Sequence, residues 1–315
     1  MRNAFAEELL LLAAQDPKIV LLSGDIGNRL FDKFKTQFPS RFYNCGVAEA
    51  NMASMAAGLA MCGLKPITYT ITPFNTTRCL EQIRDDICYH NVPVLIIGTG
   101  AGLSYASLGC THHSCEDISF LRSIPNMTVL CPGDTMELRS LLKAALNSNA
   151  PAYMRIGKTG EPLIHSSPPP LQIGKGFPIR EGTDLCIFST GNMLPTALET
   201  AALLQSKEIS AHVVSLHTVK PLDTELLSSL TPKYSLWITL EEHSLIGGLG
   251  ASIAEWMIDH TIQQTKLLRF GTPDRFPHPI GSQKYLRAQY GLEPETITGR
   301  IIKEMHHANT SCYTR

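Results

Sequence analysis

Glu49 is the residue best placed to do chemistry in this chain. It heads the stretch GVAEANMASMAAGLAMCGLKPITYTITPFNTTRCLEQIR, residues 46–84. It falls in the opening turn of a segment made almost wholly of small and apolar residues. Ala50, Ala53, Ala56, Ala57, Gly58 and Ala60 let other backbones approach closely, and leave the acid in a dry setting that favours its neutral form. A strand and then an aromatic, Phe74, follow. A dry carboxyl facing a ring nitrogen can share a proton with it, and a ring on the other side completes a slot for a flat, basic heterocycle. The plainer reading of Glu49 is an acid favoured by the helix dipole, worth about 0.3–1 kcal/mol. Arg155, in AYMRIGK, ends a strand where the ligands of parallel sheets collect. An interdomain salt bridge would explain it equally well. Arg78 and Arg84 could face a ligand or a partner chain, and the sequence leaves both open. The run CTHHSC at 110–115 crowds its cysteines and histidines too closely for a tetrahedral zinc site.

The elements that must hold these residues are legible as alternating runs. Apolar stretches at 18–24, 65–71, 92–98, 126–132 and 151–156 are separated by helical patterns near 2–14, 48–62, 75–90 and 134–148. Continuous apolar strands between helices imply a mostly parallel sheet covered on both faces. The Pro-, Gly- and Ser-rich stretch from 157 to 182 then interrupts the pattern and reads as a linker. A second alternation follows, with strands at 184–190, 210–217, 235–242 and 266–272 and helices at 193–206, 223–230 and 250–263. One or two closing helices are expected over 282–307. The expected fold is α/β, with two doubly wound domains at 1–157 and 183–315 joined by a linker at 158–182.

Composition narrows the function. A net charge of -1 argues against nucleic acid or an anionic membrane as the main partner, since both need a basic field. No run is long and apolar enough to span a bilayer, and no segment reads as a signal peptide. The nine cysteines are odd in number and lack CxxC spacing, the usage of a reduced cytosol.

Several motifs recur in order along nearly the whole chain: GVAE, CGLKP, THH, IPNM, VKPLD and EEHSLIGGLG. This series resembles the transketolase-like thiamine diphosphate enzymes, in their pyrimidine-binding and C-terminal domains. The resemblance implies that Glu49 activates the cofactor by protonating its aminopyrimidine, so that the thiazolium becomes a carbon nucleophile and then an electron sink. It implies that Phe74 stacks on the pyrimidine and that Ile26, in GDIGNR, joins the cofactor-binding residues. His112, not His113, matches the family histidine that touches substrate, and Arg155 lies near a family arginine that binds substrate phosphate. Glycines before a helix can bind phosphate, but GGLG at 247–250 reads here as structural.

Two departures and one gap qualify the match. The family's acid four residues before the histidine is Leu108 here, and an earlier histidine is Gly100, which suggests a modified substrate such as a deoxy or nucleotide-linked sugar. The family's diphosphate site, GDG followed by an Asn pair, is not matched by GDIGNR at 24–29. The resemblance therefore implies one part of a split enzyme. The diphosphate site and Mg²⁺ would come from a separate N-terminal-half subunit, in an α2β2 assembly holding two copies of this chain. Beta chains of 2-oxo-acid dehydrogenases, 1-deoxyxylulose 5-phosphate synthase and a non-catalytic scaffold subunit are the alternatives.

Overall fold

The structure is a computed structural model that describes residues 1–27, 29–158 and 160–311, with side chains as far as His306. Asn28 of GDIGNR and Cys312 lie outside the described residues. The strands are β1 (Ile19–Ser23), β2 (Phe42–Asn44), β3 (Lys65–Ile71), β4 (Leu95–Thr99), β5 (Thr128–Leu130), β6 (Ala152–Ile156), β7 (Phe177–Arg180), β8 (Leu185–Ser189), β9 (Ala211–Ser215), β10 (Thr218–Lys220), β11 (Leu236–Ser244) and β12 (Lys266–Thr272). The helices are α1 (Arg2–Gln15), α2 (Asp32–Gln37), α3 (Glu49–Met61), α4 (Thr72–Asn75), α5 (Leu80–Gln82), α6 (Asp117–Ser123), α7 (Thr135–Asn147), α8 (Leu194–Gln205), α9 (Thr224–Leu230), α10 (Leu249–Asp259), α11 (Gln283–Gln289) and α12 (Pro294–Ser311).

β1 to β6 run parallel in a seven-stranded sheet of order β10-β5-β6-β4-β3-β1-β2. Every residue of β1, β4 and β6 is buried, which is why these runs are apolar without alternation. Met52, Ala53, Ala56 and Ala57 of α3 pack with Ile118 and Leu121 of α6 on one face, against Val20, Leu22 and Ile96. Phe5 and Leu9 of α1 and Leu138, Leu141 and Leu142 of α7 cover the other, against Leu21, Ile67 and Tyr69. The second sheet has order β12-β11-β8-β9-β7, parallel except for β7.

The structure differs from the sequence expectation at several places, with α2, β2 and α6 added to the expected elements. The pattern at 75–90 is not one helix: it breaks into α4, a 3₁₀ turn at Thr77–Cys79, α5 and a π-helix at Ile83–Tyr89. Side chains compete with the helix there. Thr72 donates to the Thr99 carbonyl at 3.0 Å, and Asn75 donates to the Ile97 carbonyl at 2.9 Å, tying the first turn down onto β4. The end of the expected linker is β7, an antiparallel edge strand on β9. The VKPLD stretch supplies β10, which leaves the second domain and pairs antiparallel with β5 of the first sheet.

The strand order fixes where a ligand can sit. After β1 the chain passes to β2 on one side, and then through α3 to β3 on the other. Open α/β sheets take ligands outside the carboxyl ends of their strands at such a reversal. Gly24 and Ile26 follow β1, Phe74 follows β3, and the loop carrying His112 follows β4.

Candidate active site

Glu49 is the first residue of α3, and only 2% of it is exposed. Its surroundings are tight: a Cβ added to Gly24 would lie 3.1 Å from Thr70 Cβ and 3.3 Å from Glu49 Cγ. The carboxylate is not left bare. Arg78 Nη1 donates to both of its oxygens, at 3.0 and 2.9 Å. The Arg78 guanidinium lies over the Phe74 ring, with its carbon 4.1 Å from the centroid. Phe74 in turn meets the His112 ring edge-on, with centroids 5.2 Å apart. Acid, cation, ring and imidazole thus form one continuous row along the carboxyl edge of the sheet.

Local sequence explains why the row is held. Phe74 sits in the short α4, whose Thr72 and Asn75 are anchored as described above. That helix lies so close to β4 that a Cβ on Gly98 would come within 2.9 Å of Thr72 Oγ1 and of the Tyr153 ring. Buried Cys79, one residue past Arg78, has its thiol pushed up to about 12 by burial, with the Glu49 charge adding to the effect.

The two adjacent histidines face different ways. His112 is half-buried beside Phe74, and its Nδ1 is 2.9 Å from Thr111 Oγ1. His113 is buried, with its Nε2 3.4 Å from the Ala106 carbonyl, and burial holds its pKa below the usual value. The two departures noted in the sequence lie in the same loop region. Gly100 has φ +89, and a Cβ there would fall 2.1 Å from the Tyr105 ring. That ring occupies the space beside residue 100 and lies 6.1 Å from the His112 ring. Leu108 is half exposed.

Ile26 shares the loop after β1 with Gly24. It packs partly buried against the core on the α1 side of the sheet, the face opposite to α3, and its carbonyl accepts from Ser23 Oγ at 2.7 Å.

Arg155 departs from its expectation as a phosphate ligand. It is 2% exposed, and its donors are turned inward: Nε on Asp117 at 2.7 Å, Nη2 on the Ser114 carbonyl at 2.6 Å and on the Glu242 carbonyl at 3.0 Å. Burial alone would raise the Asp117 carboxyl, but the Arg155 charge overrides it and holds it below the carboxylate range. A side chain this enclosed and this engaged is an interdomain fastener, because Asp117 belongs to the first domain and Glu242 to the second.

The GGLG helix start is likewise spoken for. Leu249 and Gly250 donate their backbone N–H groups to Glu241, at 2.7 and 2.8 Å. A Cβ on Gly248 would meet Glu241 Oε2 at 1.9 Å, so the glycine makes room for this internal carboxylate and not for a phosphate.

Arg78 is the site residue that sequence reasoning left undecided. No helical periodicity marks it, because Thr76 breaks the helix between Phe74 and Arg78, and Arg78 sits in the following 3₁₀ turn. Tyr105 also carries no sequence signal, because its packing over Gly100, where an added Cβ would lie 2.1 Å from the ring, depends on the loop's path.

A buried acid, a ring and a histidine thus lie together at the switch of a parallel sheet, and comparison with known proteins shows the family. Residues 1–160 match the family model for the transketolase pyrimidine binding domain, and 174–297 the model for the transketolase C-terminal domain. The chain belongs to the transketolase family. It is 35% identical to a Methanocaldococcus jannaschii protein described as a putative transketolase C-terminal section, covering 97% of this chain and 96% of that one. It is 33% identical to one of the subunits of apulose-4-phosphate transketolase from Phocaeicola vulgatus, covering 94% of each chain. A solved split-gene transketolase, described as an inactive beta4 tetramer, superposes with a TM-score of 0.87 at 34% identity, covering 96% of each chain. The chain is also 36% identical to 1-deoxy-D-xylulose-5-phosphate synthase of Rippkaea orientalis, but covers only 48% of that protein. Among the described residues, no helix is long and apolar enough to cross a membrane.

Proposed function

We propose that this chain is the pyrimidine-binding and C-terminal subunit of a split transketolase, moving a two-carbon ketol unit from a ketose donor to an aldehyde acceptor. The observation that carries this reading is the buried Glu49 carboxylate in line with Phe74 and His112 at the strand reversal. The relatives of matching length, described as a transketolase section and a transketolase subunit, support it.

The residues present fit an aminopyrimidine: a buried carboxylate and an aromatic face, with glycine at position 24 leaving room for the Glu49 side chain. When bound, thiamine diphosphate supplies the carbon nucleophile and the electron sink. Glu49 holds a proton at the pyrimidine ring nitrogen, Phe74 orients the ring, and Ile26 contributes backbone contact from the loop after β1. His112 moves a proton at the substrate oxygens or stabilises charge developing there. Enclosure of Glu49 away from water keeps that proton from exchanging with solvent. The diphosphate site and Mg²⁺ come from a separate N-terminal-half subunit, in an α2β2 assembly in the cytoplasm. The substrate is a modified sugar or its phosphate. Gly100 and Leu108 carry no polar side-chain atom, and the Tyr105 ring fills the space beside Gly100, so the family's hydroxyl-reading groups are missing at both positions.

The test is reconstitution with the diphosphate-binding partner, thiamine diphosphate and Mg²⁺, followed by assay of ketol transfer from a panel of ketoses to aldehydes. Transfer supports the reading. Release of CO₂ from pyruvate without ketol transfer would favour the 2-oxo-acid or deoxyxylulose phosphate chemistry instead, and no turnover of either kind would favour a scaffold.

A further inference from the structure

Arg78 satisfies two surfaces that a protonated aminopyrimidine also needs. Its guanidinium is flat, cationic and rich in N–H donors. It rests on the Phe74 face at 4.1 Å and donates to both oxygens of Glu49 at 3.0 and 2.9 Å. A pyrimidine protonated at its ring nitrogen would lay one face on the same ring and point one N–H at the same carboxylate. A pyrimidine using that face and those oxygens would compete with Arg78 for them. We propose that Arg78 is an internal placeholder for the pyrimidine: it occupies the slot until the cofactor displaces it, and so sets how readily the subunit loads. This inference rests on Glu49 and Phe74 forming the pyrimidine slot.

Three observations give the placeholder its physics. Glu49 is 2% exposed, and the one ion pair it makes among the described residues is with Arg78. A buried carboxylate without a counter-charge is costly, so a chain that folds before it meets its partner needs a resident cation. The Arg78 side chain, by contrast, is 44% exposed. Part of it already faces solvent, where the cation is re-solvated once it is displaced. Its backbone lies in the 3₁₀ turn between α4 and α5, just after Thr76 breaks the helix with φ -132 and ψ -80. The turn is therefore not locked into a longer helix that would fix the side chain's direction.

Arg78 is in this view a positioning residue. It holds Glu49 in place through both carboxylate oxygens, and the cofactor must compete with it. The apparent dissociation constant is then the intrinsic one divided by the fraction of molecules with Arg78 swung out. A simple structural salt bridge would affect folding but would not couple to cofactor affinity through Glu49.

Calorimetric titration of thiamine diphosphate, at saturating Mg²⁺, into the complex reconstituted with the diphosphate-binding partner tests this. The proteins compared are wild type, Arg78→Met, Arg78→Lys, Glu49→Gln and the Arg78→Met/Glu49→Gln double variant. Arg78→Met is expected to tighten the Kd by roughly tenfold or more, because a stacked, charge-assisted competitor is gone. Arg78→Lys keeps the charge but loses the planar stack, and should fall between the two. In the Glu49→Gln background, the same Arg78→Met change should shift the Kd by less than about twofold. The melting temperature of the isolated chain gives a second readout: Arg78→Met lowers it, and adding Glu49→Gln restores most of the loss. If Arg78→Met does not fold, the lysine and double variants still decide the matter. An unchanged or weakened Kd for Arg78→Met and Arg78→Lys, or an equal effect of Arg78→Met with and without Glu49, overturns the inference while leaving the cofactor assignment standing. A wild-type complex that takes up no thiamine diphosphate overturns both.

Discussion

At the scale of single residues, the proposed site rests on Glu49, which is 2% exposed and paired with Arg78. Glu49→Gln keeps the shape and a hydrogen-bonding oxygen but cannot deliver a proton. Turnover of the reconstituted enzyme is expected to fall by about 10²- to 10⁴-fold, the usual contribution of positioned acid–base catalysis, while circular dichroism and melting of the isolated chain stay near wild type. Turnover within a few-fold of wild type would remove Glu49 from the chemistry. The acid was visible in the sequence because a lone carboxylate at the head of an Ala-rich helix has few neighbours to pair with locally. His112 was visible through its motif. Arg155 was not legible as a fastener: its partner Asp117 lies 38 residues away, and its third acceptor belongs to the other domain. A strand-end arginine looks the same in sequence whether it points at a ligand or at a buried carboxylate.

At the scale of elements, the glycines separate positions that hold the fold from positions that hold nothing. Gly248 opens α10 against the Glu241 carboxylate, and a methyl group there would meet an oxygen at 1.9 Å. Gly248→Ala should push Glu241 off the helix N-terminus and cost about 2–3 kcal/mol in urea unfolding. Gly58, in the middle of α3, has nothing within 4 Å of an added Cβ. Gly58→Ala should therefore stabilise the isolated chain by about 0.5–1 kcal/mol, since alanine is the better helix former. If both substitutions have the same sign, steric crowding does not account for Gly248. Most elements were readable because a run that buries both faces must be apolar throughout, as β1, β4 and β6 are. The breakage of 75–90 was not readable. Its apolar spacing is compatible with one helix, and what divides it is Thr72 and Asn75 bonding to backbone of neighbouring strands. β10 escaped for a similar reason: three residues that pair with another domain's sheet leave no periodicity of their own.

At the scale of the whole molecule, burial favours the neutral form of several titratable groups, and that makes stability depend on pH. Burial raises Glu241 from 4.5 to about 7, and Glu137, beside the Gly133 amide, also to about 7. Burial lowers His243 and His217 from 6.5 to about 4. The acids favour the folded state fully below pH 4.5, and that contribution is lost as pH rises toward 7. The histidines act oppositely: their contribution is fully present above 6.5 and is lost as pH falls toward 4. Between pH 4.5 and 6.5 the folded chain holds extra protons on two acids and lacks them on two histidines, so these four slopes largely cancel. Removing one acid should uncover the difference. In Glu241→Gln, stability should rise with pH over that window, relative to wild type, by about 1.4 kcal/mol per unit, or roughly 3 kcal/mol in total. Urea unfolding at about pH 4.5, 5.5 and 6.5 for both proteins measures it. Parallel curves would mean that Glu241 is ionised in the fold throughout. The carboxylate that holds Leu249 and Gly250 would then be charged at the head of α10, with the helix dipole and not a proton offsetting its burial.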